Sequence, residues 1–198
     1  MMVKICGITN REDALAAIDG GAAALGFNFY LASPRYIGPE EAAKIAAGLP
    51  PHIWKAGVFV DESAEAVLET ARRVGLDIAQ LHGSELPDQY PPGIRVWKAI
   101  RMIGPARETA IAAIAAPGLE AVLLDGPVSG QVFDWARVPK GIAKLILAGG
   151  LDAHNVAKAI ERVHPWGVDA CSRIEISPGR KDHFKMAAFL KAALAASR

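Results

Sequence analysis

Cysteine is scarce in this chain of 198 residues: Cys6 and Cys171 are the only two, too few for the disulfide framework of a small secreted domain. Neither sign of charge is in excess. Twenty-two Lys and Arg are interspersed with 21 Asp and Glu for a formal net charge of +1, with no basic stripe to follow a phosphate backbone, so nucleic acid is not an expected partner. Long hydrophobic runs are missing: Ala110 to Ala116 and Leu145 to Ala148 fall short of the roughly 20 apolar residues that span a bilayer. The opening MMVKICGITNRED meets charge before an apolar stretch of signal-peptide length accumulates, so the expected address is the cytoplasm, with no membrane partner. Metal and cofactor signals are lacking too. Cys6, His82 and Cys171 are not grouped at a ligand spacing, no HxH or CxxC pair occurs, and neither the dinucleotide nor the P-loop glycine pattern is found.

What is there is apolar residue at 52%, enough for one sizeable core in a chain of this length. Short β-rich runs alternate with Ala-rich amphipathic stretches. The strands are expected at Val3 to Cys6, Ala23 to Phe27, Trp54 to Phe59, Ile78 to Leu81, Arg95 to Ile100, Ala121 to Asp125, Lys144 to Leu147 and Gly167 to Asp169. The helices between them are expected at Arg11 to Asp19, Pro39 to Ala47, Ser63 to Val74, Glu85 to Tyr90, Ala106 to Ala115, Trp135 to Val138, Ala153 to Val163 and Lys181 to Ala196. Gly20-Gly21 and Gly75 stand where left-handed C-caps are wanted, and Asp61 or Ser63 and Asp152 can cap the helices next in the chain. Eight βα units with no linker favour a single α/β domain over residues 1–198, a (β/α)8 barrel rather than a doubly wound open sheet.

In such a barrel the chemistry sits at the C-terminal strand ends. Cys6 ends the first strand beside Gly7 and reads either as a nucleophile or base, or as a small buried hydrophobe. Lys4 shares its face, with Cα atoms roughly 6.6 Å apart, and either favours a thiolate or pairs with an interior acid such as Asp169. Asp125 closes the apolar run Ala121 to Leu124, where a carboxyl held against apolar walls can stay protonated as a general acid, or can cap the loop through Gly126. Arg35 follows the rigid Ser33-Pro34 and can grip a planar carboxylate, or lie at the surface. Gly149-Gly150 after strand seven and Ser172 after strand eight are placed to bind phosphate, although a Gly-Gly pair can be only a turn. His82 is a polar wall residue or an acid/base.

These residues in this order resemble the phosphoribosylanthranilate isomerase family of tryptophan biosynthesis. The likeness is carried end to end by Lys4-Ile5-Cys6-Gly7-Ile8-Thr9, Gly26-Phe27, Phe29, Ser33-Pro34-Arg35, Gln80-Leu81-His82-Gly83 and Phe133-Asp134-Trp135. Leu147-Ala148-Gly149-Gly150-Leu151, Asn155-Val156, Gly167-Val168-Asp169, Ser177-Pro178-Gly179 and Lys181-Asp182 continue it. The resemblance implies an isomerase that needs no cofactor or metal and carries out an Amadori rearrangement of N-(5-phosphoribosyl)anthranilate. It implies Cys6 as base, Asp125 as acid, Arg35 on the anthranilate carboxylate, and Gly149, Gly150 and the loop around Ser172 on the phosphate, with His82 and Asp169 also facing the small-molecule substrate.

The chain departs from the family where Ser-Ser-Gly-Val-Glu becomes Cys171-Ser172-Arg173-Ile174-Glu175. Arg173 then either contacts the phosphate or pairs with Glu175, and Cys171 either approaches Cys6 where strands one and eight meet, near enough for oxidation to join them, or only shares the rim with it. Loop six is altered as well, to Gly126-Pro127-Val128-Ser129-Gly130. A related aminoaldose isomerase of the histidine pathway and a non-catalytic phosphosugar binder are the competing readings, and the residues leave the oligomeric state open, a monomer included.

Overall fold

The computed structural model describes residues 1–104 and 118–197, and the helix expected at Ala106 to Ala115 lies outside them. Eight parallel strands close into a barrel in chain order: β1 (Met2–Cys6), β2 (Ala24–Asn28), β3 (Trp54–Phe59), β4 (Ile78–Leu81), β5 (Arg95–Arg101), β6 (Leu119–Asp125), β7 (Leu145–Leu147) and β8 (Gly167–Ala170). Between and after them run α1 (Arg11–Asp19), α2 (Pro39–Ala46), α3 (Ala64–Val74), α4 (Val156–Val163) and α5 (His183–Ala196).

Alternation along each strand divides the core in two. Outward residues such as Ile5, Leu25, Phe27, Leu81, Val122, Leu124 and Val168 are buried under the helices. Inward residues grade along the barrel axis. Trp54, Trp97 and Trp166 fill its N-terminal end with ring centroids 5.9–6.2 Å apart. Ala56, Ala99, Ala121, Leu123 and Ile146 pack in the same interior cluster. At the C-terminal end the inward positions turn polar, with Cys6, Gln80, Asp125 and Asp169 lining an open cavity.

Helix ends follow local chemistry. Ser63 caps α3 by accepting from the Ala66 N–H, Val67, Ala71 and Val74 form its buried face, and Gly75 ends it in the left-handed conformation at φ 74°. Asp61 is not the cap: its carboxylate accepts from the N–H and hydroxyl of Ser84 and so ties the loops after β3 and β4 together. The left-handed residue after α1 is Gly21 at φ 95°, one position beyond the right-handed Gly20.

Four expectations are corrected. The helices at Glu85 to Tyr90 and Trp135 to Val138 are single 3-10 turns, Pro87–Gln89 and Trp135–Arg137, each too short for cooperative helix formation. Asp152 does not cap α4. It accepts from the His154 N–H and folds a turn, so the helix starts later, at Val156 rather than Ala153. The stretch Lys181 to Ala196 loses its first residues to a hairpin of β9 (Glu175–Ser177) and β10 (Arg180–Lys181), so α5 begins at His183 behind the cap Asp182. Pro178-Gly179 makes that reversal, Pro setting the first turn residue and Gly179 supplying φ 80°.

Candidate active site

A cavity of about 770 Å³ opens at the C-terminal end of the barrel, within the size range of small-molecule sites. All nine site residues expected from the sequence line it: Cys6, Arg35, His82, Asp125, Gly149, Gly150, Asp169, Ser172 and Arg173.

β1 delivers Lys4 and Cys6 to the interior. Lys4 is fully buried, and its Nζ meets Asp169 Oδ1 at 3.0 Å across the β1–β8 ladder, so the interior acid balances it. Burial works against the Lys4 ammonium, yet the charge of Asp169, then that of Cys6, holds its pKa above the ordinary lysine value. Burial pushes the Asp169 carboxyl up to about 7 while Lys4 pulls the other way. Gly26 makes room beside them: a Cβ there would stand 2.8 Å from Cys6 Sγ and 3.0 Å from Lys4 Nζ.

The β1–β8 register pairs Lys4 with Asp169 and Ile5 with Ala170, which brings Cys171 level with Cys6, and both thiols are free. The neighbouring Cys171 thiol does most to hold Cys6 well below the ordinary thiol range. Burial opposes this, and the nearby Lys4 ammonium adds to it. Cys171 is held well above that range by the proximity of Cys6 and by burial. Of the two alternatives for this pair, the register supports neighbouring positions, and both cysteines are free thiols.

Asp125 ends β6 three strand positions from β1 around the barrel, with β7 and β8 between them. Burial raises its pKa, opposed by the hydrogen bond its Oδ1 accepts from the Gly126 N–H at 2.8 Å. The loop cap through Gly126 is thus present, on a carboxyl that burial biases toward its protonated form. His82 is kept neutral, its pKa brought down to about 3 by burial and by Lys4, and its Nε2 lies 2.5 Å from Gln80 Nε2. It lines the cavity wall.

Arg35 leaves the loop after β2 through a turn in which Ser33 Oγ accepts the Arg35 N–H at 3.1 Å. Its guanidinium does not lie free at the surface. Nε and Nη2 both reach Glu175, at 2.8–3.1 Å. Glu175 also accepts from Lys181 Nζ at 2.8 Å and from the Gly179 N–H at 3.2 Å. Burial would raise the Glu175 pKa, but Arg35 and Lys181 hold it below the usual carboxylate range. The pairing of Arg173 with Glu175 is thereby overturned. Arg173 instead bonds Asp152 Oδ2 at 2.6 Å and the Gly130 carbonyl at 3.1 Å, spanning loops six, seven and eight.

Loops six and seven lie backbone to backbone. A Cβ on Gly126 or on Gly149 would collide with main-chain atoms of Gln131 or Gly126, so glycine is required there for packing. Gly149 and Gly150 both adopt positive φ, 83° and 63°, and Ser172 faces Gly130 across the rim.

Glu175 and Lys181 escaped the sequence reading as site residues. Their partners, Arg35 and Asp13, lie 140 and 168 positions away. The available signal was the Pro178-Gly179 turn, which folds both residues back toward the barrel mouth.

Comparison with known proteins agrees along the whole chain. A family model described as N-(5'phosphoribosyl)anthranilate (PRA) isomerase matches residues 3–192. The N-(5'-phosphoribosyl)anthranilate isomerase of Solibacter usitatus is 49% identical over 202 residues, covering 99% of this chain and 98% of its own. The crystal structure of phosphoribosyl anthranilate isomerase from Thermus thermophilus is similar at TM-score 0.91 and 38% identity, over 100% of both chains. A crystal structure of phosphoribosyl anthranilate isomerase in complex with reduced 1-(o-carboxyphenylamino)-1-deoxyribulose 5-phosphate is similar at TM-score 0.88 and 39% identity, over 98% of this chain and 99% of that one. On this agreement in sequence and in fold, the chain belongs to the N-(5'-phosphoribosyl)anthranilate isomerase family, enzymes of tryptophan biosynthesis.

Proposed function

We propose that the chain converts N-(5-phosphoribosyl)anthranilate to 1-(2-carboxyphenylamino)-1-deoxyribulose 5-phosphate, with Cys6 as general base and Asp125 as general acid. The carrying observation is that one cavity sets a thiol biased toward thiolate opposite a carboxyl biased toward its protonated form. The reaction needs that pair of states. Asp125 gives its proton to the furanose ring oxygen as the C1–O bond breaks and the anthranilate nitrogen forms the Schiff base. Cys6 takes the proton from C2, leaving an enolamine. Tautomerisation, with a proton gained at C1 and one lost from the C2 hydroxyl, then gives the ketone.

The remaining groups bind and orient. Arg35 takes the anthranilate carboxylate, while Gly149, Gly150, Ser172 and the free end of Arg173 face the phosphate. Holding both ends of the substrate turns remote binding energy into orientation of the reacting carbons. His82 and Asp169 line the middle, the latter as the counter-ion of Lys4. The test is the decay of substrate fluorescence on mixing with purified protein. Cys6→Ser and Asp125→Asn are each expected to lower kcat by about 10² to 10⁴, with binding of the reduced product analogue kept. Near-wild-type turnover in either variant removes that residue from its role.

A further inference from the structure

A guanidinium has two edges that can each grip a carboxylate with two parallel N–H bonds: Nε with Nη2, and Nη1 with Nη2. In Arg35 the first edge is already taken, because Glu175 Oε2 lies 3.1 Å from Nε and 2.8 Å from Nη2, with Oε1 3.1 Å from Nε. The Glu175 side chain is only 3% exposed, whereas that of Arg35 retains 14% and lines the cavity. Glu175 is itself pinned. Lys181 Nζ and the Gly179 N–H converge on its Oε1. The main-chain N–H of Lys181 is held by Asp13 Oδ2 at 2.8 Å, and Asp13 is fixed in turn by Asn10 and His183. A chain of bonded groups thus runs from the start of α1, through the β9–β10 hairpin, to the loop after β2.

From this geometry we infer that Glu175 is a positioning residue: it occupies the inner edge of Arg35 and thereby presents the Nη1–Nη2 edge to the cavity as a preset receptor for the planar carboxylate of the substrate. The inference rests on the assignment of Arg35 to that carboxylate. It also departs from what charge alone dictates. Deleting an anion beside an anion site strengthens binding if Coulomb attraction governs, but weakens it if the guanidinium loses its aim, so the sign of the effect separates the two.

The experiment measures Kd for two reduced product analogues, one carrying the 2-carboxyphenylamino group and one with plain phenylamino, in wild type, Glu175→Gln, Glu175→Asp, Arg35→Ala and the Arg35→Ala/Glu175→Gln double variant. Glu175→Gln is expected to weaken the carboxylated analogue by about 10-fold to 100-fold, the range for a charge-assisted hydrogen bond, and to leave the plain analogue unchanged. With substrate, KM rises and kcat holds. In the Arg35→Ala background the Glu175 substitution has no further effect. Glu175→Asp keeps the charge but retreats by one methylene, and it shows the same selective loss should the Gln variant fail to fold. Equal weakening of both analogues, tighter binding of the carboxylated one, or a further loss without Arg35 would each overturn the inference. If wild type binds the two analogues alike, the Arg35 assignment falls and takes the inference with it. A wild-type preference that survives in Glu175→Gln and Glu175→Asp overturns the positioning role alone.

Discussion

At the scale of single residues the decisive property is the protonation state each side chain is given by its surroundings. As the proposed base, Cys6 acts as the thiolate, and its lowered pKa then means that kcat/KM is retained below the ordinary thiol range and falls only as acid protonates it. As the proposed acid, Asp125 acts protonated, and its raised pKa then carries that form above the ordinary carboxyl range, with activity lost as alkali ionises it. The expected profile is a bell whose acid limb belongs to Cys6 and whose alkaline limb belongs to Asp125. Asp125→Asn removes the alkaline limb from whatever activity remains. An acid limb near the free-thiol value of about 8.5 would show that Cys6 is not held as thiolate. Cys6, Asp125 and Arg35 were legible in the sequence because each is a chemically marked residue at a strand end or behind a rigid turn, where neighbours in sequence set the context. Glu175 was not, because its meaning comes from Arg35, 140 positions away.

At the scale of elements, the meeting of β1 and β8 carries the next consequence. Register alone sets Cys171 beside Cys6, and both line the open cavity, so a small oxidant such as hydrogen peroxide can reach them. Attack of the Cys6 thiolate on peroxide forms an S–O bond, breaks O–O and releases hydroxide. Attack of the Cys171 sulfur on that sulfenic acid then forms S–S, breaks S–O and releases water. Peroxide is expected to inactivate both wild type and Cys171→Ser, but dithiothreitol should restore wild type far more fully, since the variant has no second thiol to intercept the sulfenic acid. Equal recovery of the two proteins would exclude the pair. The strands were readable from their β-branched and apolar runs to within a residue or two, because a parallel barrel buries them on both faces. The single 3-10 turns and the hairpin were not. Each is fixed by a few contacts of its own rather than by a repeating pattern.

At the scale of the whole molecule, the rhythm of eight strands implied closure, but it could not show how polarity is distributed along the barrel axis. That gradient depends on which face of each strand turns inward, and hence on register. Its closed end is set by Trp54 on β3, Trp97 on β5 and Trp166 just before β8, with Arg95 over the first indole at 5.2 Å and Lys144 over the last at 5.4 Å. The rings come from three separate arcs of the barrel, stacked or edge-on at interplanar angles of 28°, 67° and 87°. Indoles locked at such spacing and angles sit in a fixed chiral surrounding, and only while the barrel is closed. The chain therefore contains its own optical reporter of closure: the near-ultraviolet circular dichroism of its packed indoles, distinct from the helical signal in the far ultraviolet. In a urea series the two signals are expected to vanish together, as one cooperative unit. Loss of the near-ultraviolet signal while helical signal persists would reveal a barrel that unzips between strands before its helices melt.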